Sequence, residues 1–373
     1  MGARRWTALS FRKLWAKGRL GTGSNSGPGE MTVCREVWRA KQNSSGKLVA
    51  LKRLFDSEKQ EGFPMTSLRE IRLLRGLQHP NIASLLDMAV KWRDTESRLK
   101  LPCEVEHVYM VFPFMDHDLV GLLERKEAVT FTVPQIKCYL QQLFAGLAYL
   151  HGRGIIHRDM KGANVLINNR GELKITDFGL ARPLEDNRQH YTPGLVTRWY
   201  RPLELLLGAK RYDAAIDVWG AGCIAAELFL RKPLLGAETD VEQIRLVAEL
   251  VGPVDEGSLP GCTQLPDYAK LDLGSVVGRG VVRHLQGLRV PGLSDDPLLL
   301  DLIARCLELN PARRLKAEAA LRHEWFRAEP LPATGAELPS FPSSHEYTVF
   351  KEHAAARKRA AAAEGMDRSR GMN

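Results

Sequence analysis

Apolar positions alternate with polar ones in short runs over the first third of the chain and recur at helical spacing over the rest. Val33 to Ala40 and Leu48 to Lys52 read as two strands joined by the turn residues Asn43-Ser44-Ser45-Gly46. Ser67 to Leu77 reads as a helix, with Pro64 closing the loop before it and Ser67 as its N-cap. Residues 82–112 read as two strands around a charged loop from Lys91 to Lys100. The second ends in the β-branched and aromatic run Val108-Tyr109-Met110-Val111-Phe112, as a central strand does. From Asp118 onward helices dominate. Ile136, Tyr139, Leu140, Leu143, Leu147 and Leu150 set one buried face of a helix over Val133 to Arg153. Val165-Leu166-Ile167 and Leu173-Lys174-Ile175 predict a short hairpin. The pattern is α+β, a small β-rich part followed by a larger helical one.

Composition adds little to that picture, but charge does. With 44% hydrophobic and 26% charged residues the chain is an ordinary globular one. Its six cysteines are scattered without a C-x-x-C pair, which argues against a disulfide framework or a zinc site and fits a reducing compartment. No apolar run approaches the ~18 residues needed to span a bilayer. Trp6 stands where a myristoylation signal requires Ser or Thr. The net charge of +9 sits mostly in residues 1–29, which hold Arg4, Arg5, Arg12, Lys13, Lys17, Arg19 and no acid. Residues 30–326 are nearly neutral, so no direct nucleic-acid or membrane binding is expected of the folded body. Segment 1–30 ends Gly/Ser-rich and reads as a basic, disordered arm, with a transit peptide or a misassigned first exon as alternatives.

The chemistry concentrates in His157-Arg158-Asp159-Met160-Lys161-Gly162-Ala163-Asn164, with Asp177-Phe178-Gly179 following thirteen residues after Asn164. A base, a cation and a metal-binding amide within six positions, with a second metal-binding carboxylate beyond a hairpin, are what phosphoryl transfer from a magnesium nucleotide requires. The stretch resembles the catalytic loop and metal motif of eukaryotic protein kinases. The resemblance implies a two-lobed fold over 31–326: a β-rich lobe at 31–112, a hinge at 113–116 and a helical lobe at 117–326. Residues 327–373 form a largely irregular tail.

The family's pattern implies ATP and Mg2+ as cofactors. Asp159 takes the proton of the substrate hydroxyl, Lys161 balances charge on the phosphoryl group, and Asn164 and Asp177 ligate the metal. Lys52, ending V-A-L-K, grips the nucleotide phosphates, and Glu70, eighteen residues on, is its ion-pair partner. Val37, Ala50, Phe112, Pro113, Met115, Asp118 and Leu166 are the remaining ATP-binding candidates. Lysine at 161 resembles serine/threonine rather than tyrosine kinases. The glycine-rich loop departs from the family, because its glycine positions fall on Glu30, Thr32 and Arg35. Without glycine the backbone cannot approach phosphates as closely. A scaffold with impaired ATP binding is therefore the alternative to an active enzyme.

Gly62 to Glu70 resembles the cyclin-contacting helix of cyclin-dependent kinases, in the form carried by the transcription-elongation subgroup. The resemblance implies a cyclin partner and an activating phosphothreonine at Thr192, made by an upstream kinase and clamped by Arg69, Arg158 and Arg182. It makes Val196, Thr197 and Arg198 the platform for Ser/Thr-Pro substrates, Glu204 and Arg314 a structural ion pair, and Asp217 the brace of the catalytic loop. Met110 to Leu119 and Ser344-His345-Glu346 resemble the fungal-type elongation kinases. Their substrates are the RNA polymerase II C-terminal repeat and elongation factors, and their location is the nucleus. Arg357-Lys358-Arg359 is a candidate import signal.

Overall fold

The computed structural model describes residues 37–43, 45–56, 64–92, 105–125, 129–184, 197–268 and 278–345. Four antiparallel strands come first: β1 (Val37–Lys41), β2 (Leu48–Asp56), β3 (Asp87–Trp92) and β4 (Val105–Pro113), in the order β1-β2-β4-β3. One face carries a small apolar core of Ala40, Val49, Leu51, Ala89, Tyr109 and Val111. β2 continues through a bulge between Arg53 and Phe55, beyond the expected end at Lys52, because it is central and pairs with β4 along its length.

Helix α1 (Met65–Arg75) lies between β2 and β3 in sequence. Its start corrects the expected cap. Pro64, in an extended conformation, is the N-cap, and Ser67 is a buried residue of the first turn whose N–H bonds the Pro64 carbonyl at 3.0 Å. Proline suits this place because the helix leaves its first N–H groups without intrahelical partners. The helix buries a carboxylate beside its apolar face: Glu70 faces inward at 1% exposure along with Leu74, while Met65 and Leu68 are exposed.

After β4 the chain forms β5 (His117–Asp118), α2 (Leu119–Glu124) and the long α3 (Val133–Gly152). A reciprocal cap between Thr132 and Gln135 starts α3, and its leucine face is buried as the periodicity predicts. β6 (Ile155–Ile156), β7 (Val165–Ile167), β8 (Leu173–Ile175) and β9 (Arg182–Pro183) make two small sheets, β5-β7-β8 and β6-β9, which hold the intervening loops. The helical part is completed by α4 (Leu203–Leu206), α5 (Ala215–Leu230), α6 (Asp240–Val251), α7 (Val281–Gly287), α8 (Pro297–Cys306) and α9 (Ala317–Leu321). Helix α5 is buried from Ile216 to Leu228, as an apolar run without a polar face requires. It packs against α3 and α8 at the centre of the main core.

The segment after Phe326 returns along the body. The Ala333 N–H bonds the Pro134 carbonyl, and Asn169 and Phe341 exchange two hydrogen bonds. Ser344 then forms a parallel bridge with His117, and its hydroxyl donates to the Gly121 carbonyl at 2.6 Å. Among the described residues, no helix is long and apolar enough to cross a membrane.

Candidate active site

Strand β2 and helix α1 bring Lys52 and Glu70 together. The ammonium lies 2.5 Å from Glu70 Oε1 and 3.0 Å from Asp177 Oδ1, with both Lys52 and Glu70 buried. The adenine-side candidates fall on facing strand positions: Val37 opposite Lys52, Ala50 opposite Phe112, and Asp118 opposite Leu166. Phe112 and Met115 are buried, and Pro113 ends β4 opposite Val49. Asp118 also serves the local structure. Its Oδ1 caps α2 by accepting from the Gly121 N–H at 2.7 Å, and its Oδ2 lies 3.2 Å from His345 Nδ1.

The loop between β6 and β7 is shaped from α5. Asp217 is 1% exposed, and its carboxylate accepts from the His157 N–H and the Arg158 N–H, each at 2.8 Å. His151 Nε2 lies 3.0 Å from the same carboxylate. Burial pushes the Asp217 carboxyl up, but the His151 hydrogen bond and charge and the His157 N–H outweigh it and hold the group below its usual range. This brace holds Arg158 at φ 70, a left-handed conformation that disfavours a side chain with a Cβ. His157 Nδ1 accepts from the Asp159 N–H at 3.2 Å, which leaves Nε2–H to donate to the Thr176 carbonyl at 2.9 Å.

Asp159 is the hub that results. Lys161 Nζ lies 2.9 Å from Asp159 Oδ2 and donates to Thr197 Oγ1 at 2.9 Å. The Thr197 hydroxyl in turn donates to Asp159 Oδ1 at 3.1 Å. Asn164 Nδ2 donates to the Asp159 carbonyl at 2.7 Å and to Oδ2 at 2.8 Å. Both amide hydrogens are thereby used toward Asp159, which leaves the Asn164 carbonyl oxygen as a ligand. Asp177, at φ 63, is the second hard oxygen donor. Phe178 beside it is buried and meets the His157 ring edge-on, with centroids 5.1 Å apart. A carboxylate and an amide oxygen fit a small hard cation such as magnesium and do not suit a soft one.

The remaining candidates divide. Arg198 Nε lies 2.5 Å from Asp240 Oδ1, and Arg198 Nη1 donates to the Glu238 carbonyl at 2.7 Å, which ties Arg198 to the start of α6. Glu204 and Arg314 form a two-pronged buried pair at 2.8 and 3.1 Å, with the guanidinium 5.1 Å from the Trp219 ring centre. Arg158 donates to the Leu180 carbonyl and to the Tyr212 hydroxyl, at 2.8 and 3.0 Å. Arg69 is exposed on α1, and Arg182 opens β9. Thr192, Val196, Glu30, Thr32 and Arg35 lie outside the described residues. Sequence reasoning missed three residues here: Tyr212, Tyr200 and Glu227. A lone acid in the apolar run Val218 to Leu230 is the signal that would have found Glu227.

This geometry has relatives. A family model described as protein kinase domain matches residues 20–326. The serine/threonine-protein kinase bur1 of Emericella nidulans is 42% identical over 362 residues, covering 92% of this chain and 62% of that protein. The probable cyclin-dependent kinase 9 of Schizosaccharomyces pombe is 42% identical over 325 residues, covering 84% of this chain and 53% of the relative. Cyclin-dependent kinase C-2 of Arabidopsis thaliana is 42% identical, covering 85% and 61%. The chain thus spans about half to three-fifths of these relatives' length. Among solved structures, the yeast RNA Pol II CTD kinase CTDK-1 complex contains a chain that superposes with a TM-score of 0.70 at 33% identity, covering 89% of this chain and 97% of that one. A lysine paired to a helix glutamate, a braced loop presenting Asp159 and Asn164, and a matching family model over most of the sequence lead to one conclusion: the chain belongs to the protein kinase family.

Proposed function

We propose that the chain is the catalytic subunit of a cyclin-dependent serine/threonine kinase. It transfers the γ-phosphate of ATP to Ser/Thr-Pro sites of the RNA polymerase II C-terminal repeat and of elongation factors. The observation that carries the reading is the Asp159 cluster, in which one carboxylate is oriented by Asn164, Lys161 and Thr197 together. Asp159 accepts the proton of the incoming hydroxyl, and Lys161 offsets charge beside it. Lys52, set by Glu70, binds the nucleotide phosphates. Asn164 and Asp177 hold the magnesium ion, which when bound neutralises charge on the phosphate oxygens.

The cyclin is supported by the exposed start of α1. An exposed apolar pair, Met65 and Leu68, on a helix whose carboxylate must point inward offers a surface whose covering would hold Glu70 in place. The polymerase repeat is supported by the likeness to the yeast CTDK-1 complex, an RNA Pol II CTD kinase. An upstream kinase acting on Thr192 and a nuclear location belong to the same proposal, as does the division into an arm at 1–30, a kinase domain at 31–326 and a tail. The scaffold alternative gains no support, since the relatives named above are described as kinases.

The test is the purified chain with a cyclin, ATP and magnesium on a Ser-Pro peptide. Transfer is expected, with Asp159→Asn losing transfer but keeping a nucleotide-induced thermal shift. No transfer together with no thermal shift in the wild type would refute the enzyme reading.

A further inference from the structure

Successive residues of strand β1 face opposite sides of the sheet. Trp38 and Ala40 join the small core on one side. Val37 and Arg39 therefore face the other, the side that carries Lys52. The register sets Arg39 opposite Ala50 and Ala50 opposite Phe112, so the three stand in one row across β1, β2 and β4. That row lies on the hinge side of the Val37–Lys52 pair, because β4 runs on from Phe112 to Pro113. Arg39 is partly buried there, and its guanidinium carbon lies 5.0 Å from the centre of the Phe114 ring, within the hinge at 113–116. The electron-rich face of an aromatic ring attracts a cation. A guanidinium suits that contact, being planar and more weakly hydrated than an ammonium.

We propose that Arg39 is a positioning residue for the nucleotide. It straps β1 to the hinge across the Phe114 ring and holds the cleft closed at its adenine end. The functional meaning rests on the kinase reading above, whereas the strap itself is a contact of the fold. Phe114 stands between Pro113 and Met115, two of the ATP-binding candidates, so holding the ring steadies the backbone on both sides of it. Two observations give the strap weight. Among the described strands β1 is an edge strand paired with β2, so backbone hydrogen bonds do not tie it to the hinge. The glycine positions over the phosphates hold Glu30, Thr32 and Arg35, and a backbone carrying side chains approaches phosphates less closely. The adenine end then carries more of the nucleotide's binding.

The chemistry of the contact separates a strap from ordinary packing. Methionine at 39 keeps a long apolar side chain and loses the cation. Leucine at 114 keeps apolar bulk and loses the ring face. Lysine at 39 keeps the cation in a compact, more strongly hydrated form. A contact that only fills space tolerates all three changes. A cation held on a ring is lost in the first two and partly kept in the third. Neither Arg39 nor Phe114 belongs to the Asp159 cluster or to the pair of metal-ligand candidates, so the strap acts on nucleotide binding and leaves the transfer step alone.

The test compares the full chain with Arg39→Met, Phe114→Leu, the double variant and Arg39→Lys. The first readout is amide exchange over 114–117 in nucleotide-free protein, corrected for intrinsic rates, which requires no activity. Exchange is expected to quicken about threefold in either single variant and no further in the double variant. The second readout is the dissociation constant of a non-hydrolysable ATP analogue with magnesium, by titration calorimetry. It is expected to rise about threefold in each of those single variants, no further in the double variant, and less in Arg39→Lys. In the transfer assay KM for ATP follows that constant while kcat holds. Unchanged exchange in Arg39→Met, or effects that multiply in the double variant, overturn the strap. Quickened exchange with an unmoved dissociation constant overturns its role toward the nucleotide. Absent transfer in a wild type that binds the analogue and shows the exchange pattern refutes the kinase reading and leaves the strap standing.

Discussion

Asp217→Asn isolates what the brace contributes. The substitution preserves size and removes the charge. In the native site one carboxylate oxygen accepts from the Arg158 N–H and the other from the His157 N–H and faces His151. The asparagine carbonyl can keep one of these positions. Its NH2 group then faces a backbone N–H, donor against donor, at a position 1% exposed. A hydrogen bond to a charged acceptor contributes ~1.5–3 kcal/mol, and a stranded buried donor costs a further ~1–3 kcal/mol. Arg158 at φ 70 also loses the contact that holds it there, and this conformation costs ~1–2 kcal/mol on its own. The expected loss is about 3–5 kcal/mol, which for a chain of this size lowers Tm by roughly 4–6 °C. Because Asp159 follows Arg158 directly, its carboxylate shifts with the loop, and kcat is expected to fall about a hundredfold. Differential scanning calorimetry gives the first quantity and peptide phosphorylation at saturating nucleotide the second. A loss below about 1 kcal/mol with kcat intact would show that the loop holds its own conformation and that the brace argument is wrong.

Three further outcomes follow from the geometry. Arg314→Ala leaves Glu204 charged and unpaired in the core and is expected to cost about 3–5 kcal/mol, whereas replacing both partners with apolar residues recovers most of that loss in the same unfolding assay. Gly121→Ala places a Cβ 2.5–2.7 Å from the His345 backbone, so the tail at 343–345 must leave β5; limited proteolysis is expected to cut it faster while the rest of the body stays protected. Glu227 makes stability depend on pH. Burial pushes its folded value up to about 8, above its ordinary 4.5, so the unfolded chain releases the proton first, and the contribution present below 4.5 is lost as pH rises through about 8. Relative to Glu227→Gln, the wild type should lose ~1.4 kcal/mol per pH unit across that window, read as a Tm difference that widens with pH. A constant difference would contradict the burial argument.

The legible part of this protein is local. The catalytic loop is eight consecutive residues, and its hydrophobic flanks and the hairpin after it repeat at strand spacing, so sequence alone placed Asp159, Lys161, Asn164 and Asp177 on one short stretch. The leucine face of α3 and the strand Val108 to Phe112 were equally plain, because burial writes itself into periodicity. The Ser67 cap failed for a local reason. Ser, Thr, Asp and Asn are only the frequent N-caps, and here Pro64 already ended the loop, so the helix began earlier and turned Ser67 inward.

Periodicity records that a position is buried, not which residue it meets. Lys52 and Asp177 are 125 residues apart, and Asp159 and Thr197 are 38 apart. Family likeness paired Lys52 with Glu70 and made Asp177 a metal ligand, so the Lys52–Asp177 contact was not expected, and Thr197 was assigned to the substrate platform rather than to the Asp159 hub. The Tyr200–Glu227 contact had no counterpart in the sequence reading. A buried acid such as Glu227 within an apolar helix is ambiguous until the fold shows which hydroxyl faces it. The return of the tail to Asp116 and Asp118 spans 227 residues and depends on a glycine that leaves space for it. The sequence marked the candidate side chains of the site and where the core runs. Only packing of α1, α5 and the tail decided how those side chains are aimed, because partner choice depends on distances across the fold that no local pattern encodes.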